Sequence, residues 1–144
     1  MSYTERFSEV HALLAKIRPA SYTTEQNTGY VDLGLYHRAV VICEAGVLGG
    51  GVDFDFEAAQ DTSGTGPGSY DYGDKDFTWV ATTDNGAVTV VEIRPEEFDV
   101  AGGDHCLNVE CTPGGQGDIF AVQVWGIVPR YAPVSTAALD SVED

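Results

Sequence analysis

Apolar residues in the first 18 positions, MSYTERFSEVHALLAKIR, recur as Phe7, Val10, Leu13, Leu14 and Ile17. That three-and-four spacing predicts an amphipathic helix. Ser2 followed by Glu5 has the spacing of a capping box, and Pro19 would end the run by excluding Arg18 from helical angles. From about residue 28 the period changes to two. Tyr30 and Asp32 open a short strand, Gly34 a turn, and YHRAVVIC (36–43) a long buried strand. After the VLGGG turn at 47–51, Val52, Phe54 and Phe56 alternate with Asp53, Asp55 and Glu57, so only one face of that strand enters a core. Residues 61–76 read as a loop rich in Gly, Ser and Asp, followed by a strand from Phe77 to Ala81. Asp84-Asn85-Gly86 has the chemistry of a hairpin turn, and AVTVVEIR follows as a strand. Pro95 to Phe98 reads as a turn or single helical turn. HCLNVECT and DIFAVQVWGIV complete the set, separated by the loop 113–117.

About seven or eight strands, with no helical segment between them long enough for a βαβ crossover, predict an all-β fold. The spacing is that of an antiparallel β-sandwich or jelly roll. The expected organisation is an N-terminal helical arm (1–20), a sandwich body (21–134) and an acidic C-terminal tail (135–144). No internal repeat is present.

Charge refines this picture. The 144 residues suffice for one domain, and 23 acidic against 7 basic side chains give a formal charge of −16. With 43% hydrophobic residues the chain can still bury a core, so the acidity belongs to a folded surface. Such a surface repels phosphate backbones and anionic lipid, which argues against nucleic acid and membranes as partners. No apolar run approaches the roughly 20 residues that span a bilayer, and the first residues lack the apolar stretch of a secretion signal. The charge is uneven. Residues 1–20 hold three basic groups (Arg6, Lys16, Arg18) and two acidic ones (Glu5, Glu9), net +1; the remaining four basic and 21 acidic groups sum to −17. A near-neutral apolar helix ahead of an acidic body reads as a docking arm, or else as a helix packed on its own sheet.

Catalytic signatures are missing. Ser69 lies in no GxSxG elbow, and VLGGG leads into a strand without the Lys-Ser/Thr of a phosphate loop. His11, His37 and His105 fall on three separate elements without ligand spacing, and Cys43, Cys106 and Cys111 form no CxxC pair. The cysteines read as reduced, buried fillers. Neither catalytic residues, cofactors nor a metal are expected. Asp71, Asp74 and Asp76 in the loop, and Asp53, Asp55 and Glu57 on a strand, are oxygen ligands a hard cation could use, but their spacing fits no EF-hand. Alternating acids are read as a solvated face. The aromatics Tyr70, Tyr72, Phe77 and Trp79 share parity only in pairs and form no continuous platform for sugar. Trp125, among Val122, Val124 and Ile127, is expected in the core.

The ending VQVWGIVPRYAPVS resembles that of small β-sandwich proteins encoded in the head-gene region of tailed bacteriophages and prophages. NTGYVDLGLYHRAVVIC, the VLGGG turn before FDFEAAQD, and IRPEEFDV before HCLNVEC agree in order, so the resemblance runs from about Asn27 to Ser135. The N-terminal helix and the extreme acidity lie outside it. The resemblance implies a non-enzymatic virion protein on the capsid exterior, a decoration or cement protein that binds the major capsid protein. It would act as a homo-oligomer, a trimer in preference to a dimer. The expected contacts are Arg6, Phe7, Val10, Leu13, Leu14, Lys16, Ile17 and Arg18 of the arm, with Arg130 and Tyr131 at the sandwich end. The alternative is a carbohydrate- or receptor-binding jelly roll such as a head spike or fibre component.

Overall fold

A computed structural model of the chain describes residues 6–66, 75–98, 102–130 and 139. A single helical turn, α1 (Phe7–Val10), is followed by strands β1 (His11–Tyr22), β2 (Gln26–Asn27), β3 (Val31–Asp32), β4 (Tyr36–Ala45) and β5 (Val52–Ala59). Then come β6 (Phe77–Trp79), β7 (Val88–Ile93), a 3-10 turn at Pro95–Glu97, β8 (Cys106–Pro113) and β9 (Asp118–Pro129). Two antiparallel sheets result. One has the order β1-β9-β4-β7; the other has β2-β8-β5-β6, with β3 also on β8. Each strand of the N-terminal half pairs with its counterpart counted back from the C-terminal end: β1 with β9, β2 and β3 with β8, β5 with β6, and β4 with β7. Taking β2 and β3 as one interrupted strand, this is the eight-strand winding of a jelly roll.

The expected N-terminal helix is corrected by the structure. Helix persists only over Phe7–Val10, where Glu9 accepts the Arg6 N–H (2.8 Å); the Ser2–Glu5 box lies outside the described residues. From His11 the chain is a twelve-residue strand on β9. It also crosses the expected arm-to-body boundary at residue 20, so residues 11–20 are part of the sandwich. Two register irregularities, at Leu13/Ala15 and Ile17/Ala20, resolve the conflict of periods. A bulge shifts strand parity, which lets Leu13, Leu14 and Ile17 all find cover although their spacing is helical. Pro19 lies within the second irregularity on an edge strand, a position where its missing N–H is tolerated.

The core lies between the sheets. Val41, Cys43, Phe120, Val122 and Val124 face Phe54, Phe56, Leu107, Val109 and Cys111, all essentially inaccessible. Phe54 stacks on Phe77 (centroids 4.4 Å) and meets Trp79 (4.6 Å) and Phe120 (6.0 Å) edge-on, which couples the two layers. At one end a buried carboxylate, Asp118, accepts N–H bonds from Gly50 and Gly51 (2.9 Å each) and Gly114 (3.1 Å). The VLGGG and PGGQG segments are thus two halves of one clamp. Glycine is required because a side-chain carbon on Gly50 or Gly114 would meet the other's backbone within 3.0 Å, and Gly51 has φ of 87°. Asn85-Gly86 does not make the expected β-hairpin. The strands it joins, β6 and β7, belong to different sheets, and Asn85 Oδ1 instead accepts the Leu48 N–H (2.8 Å) at this corner.

Candidate docking face

The two outer faces of the sandwich differ in chemistry, and ladder register shows how. Residues opposite each other across a ladder share a face. On the β1-β9-β4-β7 sheet, one row reads Lys16, Gln123, Ile42, Val90; the next reads Leu13, Trp125, Val40, Glu92; a third holds His11, Ile127 and Arg38. Leu13, Trp125, Val40, Ile42, Ile127 and Val90 form an apolar strip across this outer face, with Glu92 and, opposite Val88, Glu44 as its acids. Phe7, Val88 and Val90 are 61, 60 and 56% exposed, too much open apolar surface in one region to be incidental. Phe7 stacks on His11 (4.2 Å) and meets Trp125 edge-on (5.3 Å), so the α1 turn seats one aromatic on the sheet. Between these rings and Val40, Ile42 and Ile127 lies an apolar groove of about 330 Å³.

Trp125 is therefore corrected from core to outer surface. Val122, Val124 and Gly126 have the inward parity of β9, leaving Gln123, Trp125 and Ile127 outside; Trp125 Nε1–H donates to Gln123 Oε1 (2.9 Å). β4 is likewise buried on one face only, since Val40 and Ile42 point outward. Immediately beyond Ile127, Val128 has φ of 51°, a conformation that strains a β-branched residue at the end of this face.

Basic residues gather on the same sheet. Lys16 and Arg18 lie on β1 and Arg38 on β4; Arg6 precedes α1, Arg94 follows β7 and Arg130 follows β9. Lys75, before β6, lies where the two sheets meet, in a pocket it shares with Thr89 to Glu92 of β7. The other sheet's outer face carries Asp53, Asp55 and Glu57 of β5 and Glu110 of β8, with Asp55 directly opposite Glu110. Asp53 accepts the Thr78 hydroxyl (2.6 Å), and Asp76 accepts the Phe56 N–H (3.0 Å). Burial, then the charges of Asp76, Asp53 and Glu57, push the Asp55 carboxyl up. Glu110 is raised by burial and by Glu25, Glu57 and Asp55. Tyr30 donates to Glu57 (2.8 Å); burial and that carboxylate raise the phenol to about 12.

The expected contact residues separate accordingly. Leu13 and Ile17 are 7 and 6% exposed, and Leu14 packs against the core, because β1 is an integral strand and not an arm. Val10 is half-buried at the end of α1; Arg6, Phe7, Lys16, Arg18 and Arg130 are exposed. Tyr131 lies outside the described residues, as do Tyr70, Tyr72, Asp71 and Asp74 and nearly all of the tail. Val40, Ile42, Val88, Val90, Trp125 and Ile127 were not expected at an interface. A signal existed in AVTVVEIR, where Val88 and Val90 share one parity and Val91 and Ile93 bracket the other.

No family model matches the chain, and no curated protein matches its sequence. Function is therefore read from the two faces. Among the described residues nothing covers the apolar strip, and with basic residues about it the strip can bind an apolar protein surface bordered by acids; the opposite face repels anions.

Proposed function

We propose that this chain is a non-enzymatic virion protein on the outside of a tailed-phage or prophage head. Its apolar face lies on the major capsid protein, and it decorates or cements the shell. The observation that carries this reading is the contrast between the faces: one apolar with neighbouring cations, the other acidic and turned to solvent. A rigid sandwich suits the task, since little conformational entropy is lost when a preformed face docks. The capsid surface it fits is an apolar patch edged with Asp and Glu, complementary to Arg38 and Arg130.

Self-association has a candidate route as well. β7 is an edge strand, and its segment VTVVEI has neither the Pro nor the Lys that β1, the other edge of this sheet, carries. Exposed apolar edges of this kind pair with further strands. Pairing of two β7 edges is two-fold and would build a dimer; the trimer preferred from the resemblance would instead set β7 of one copy against β1, the other open edge, of the next.

Co-sedimentation with assembled shells tests the assignment. The unmodified chain should pellet saturably with the shells, and Val88→Lys/Val90→Lys should remain in the supernatant while keeping its melting temperature. A chain that never pellets, or a double variant that binds fully, overturns it. The carbohydrate-binding alternative predicts a glycan-dependent change in Trp125 fluorescence and no affinity for shells.

A further inference from the structure

A cluster of different chemistry lies where β3 and β8 meet. Asp32 and Cys106 are direct partners in the β3–β8 ladder, and His105 immediately precedes β8. One ligand atom from each of the three side chains lies within 4.8 Å of the other two. Their backbones are held on several sides. Leu33 N–H donates to the His105 carbonyl (2.9 Å), His105 N–H to that of Ala59 (3.1 Å), and Gly34 N–H to Asp32 Oδ1 (2.7 Å).

The imidazole supplies a separate indication. His105 Nδ1 lies 2.9 Å from the Gly103 carbonyl, which can only accept, so Nδ1 carries the proton. In the neutral ring Nε2 is then a bare lone pair. It faces Asp32 Oδ1 at 3.8 Å, so two acceptors confront each other with the Cys106 sulfur beside them. Either a second proton on the ring, making an ion pair with Asp32, or a metal ion between the two acceptors relieves this arrangement, and the sulfur beside them suits the metal. Histidine ligands are commonly oriented through the same kind of bond from the other nitrogen to a carbonyl. Two metal–ligand bonds of about 2.0–2.2 Å, meeting at an angle, span a gap of this size.

We propose that Asp32, His105 and Cys106 form a binding site for a divalent transition-metal ion, with Zn²⁺ the best match. Imidazole nitrogen, thiolate sulfur and carboxylate oxygen are the zinc donor set, whereas calcium and magnesium take oxygen alone. Binding exchanges the Cys106 thiol proton, released to solvent, for a metal–sulfur bond. Asp32 and His105 are about half exposed, so they can close on the ion and leave a fourth position to water. The ion would pin the two-residue strand β3 to β8, beside the acidic face and away from the apolar one.

The test uses the full chain, stripped with chelator and kept reduced with a phosphine. Titration with Zn²⁺ alone should give one ion per chain and raise the melting temperature. Co²⁺ alone should give the near-ultraviolet thiolate-to-cobalt band of a sulfur-ligated ion. Cys106→Ser should abolish that band, and Cys106→Ser and His105→Gln should each weaken Zn²⁺ at least about tenfold; Asp53→Asn/Asp55→Asn should bind as the unmodified chain does. Absence of both heat and band from the unmodified chain overturns the proposal. So does Zn²⁺ binding that survives Cys106→Ser but is lost with Asp53 and Asp55. The cobalt spectrum of the unmodified chain decides the matter even where a variant fails to fold.

Discussion

The outer faces of the two sheets rest on one shared core and are built from similar strands, yet one presents Val40, Ile42, Val88, Val90 and Trp125 and the other Asp53, Asp55, Glu57 and Glu110. A sheet needs only one apolar face to fold. The acids of β5 are what that requirement leaves free to be polar. The valines of β7 do nothing for the core, because their neighbours Val91 and Ile93 already fill the inward positions. Apolar groups that folding does not use are the ones to assign to a partner. The near-neutral charge expected of an N-terminal arm thus belongs to a whole sheet, of which β1 is one edge.

Removal of residues 1–18 is the most severe test of how the apolar face is built. If the apolar face is part of the sandwich, this deletion strips most of β1 from β9 and uncovers the core beneath Ile17. A loss of more than about 5 kcal/mol, the whole margin of a small domain, is expected. Circular dichroism should show an unfolded chain; a folded, cooperative truncation would restore the separable arm. Next, Asp118→Ala tests what both faces share. It leaves the Gly50, Gly51 and Gly114 N–H groups without their carboxylate and should cost about 3 kcal/mol in urea unfolding.

A third substitution sharpens the difference between the faces. Val88→Lys/Val90→Lys should weaken shell binding at least about a hundredfold, as expected when charge is forced into an apolar contact, and should change stability by less than about 1 kcal/mol at such exposed positions. Asp53→Lys/Asp55→Lys should leave binding nearly intact. If the reverse holds in co-sedimentation, the acidic face is the interface, and salt that shortens the Debye length from about 10 to 3 Å should release the protein readily.

The smallest effect concerns pH. Asp55 and Glu110 have folded-state pKa values raised above their ordinary ones, so in that window the folded chain holds more protons than the unfolded one. Their contribution to stability therefore falls as pH rises through the window and is restored on acidification. Asp55→Asn should raise the melting temperature at pH 7, by at most about 2 °C, and flatten its rise as the pH is lowered toward the carboxylate range. A melting curve unaffected by the substitution would mean the acids on this face do not repel one another.

The all-β sandwich, most strand positions and the solvated acidic strand were legible in the amino-acid pattern alone. In VDFDFEAA and AVTVVEIR the period of two is carried by adjacent residues, and no other element shares that period. Buried cysteines followed in the same way, since all three are inaccessible. The rest depended on which segments pack together. Phe7 to Ile17 carries a spacing that suits a helix or a strand with bulges, and only a free β9 edge selects the strand. β4 and β9 are apolar on both faces, so nothing local tells Trp125 from Val124; the second sheet, covering one side alone, makes the choice. Asp32 and Cys106 stand far apart along the chain and become neighbours only through the β3–β8 ladder. Periodicity is a property of one segment, whereas cover, register and ligand sets depend on which distant segment lies alongside it, and that is fixed when the two halves of the chain pair into a jelly roll.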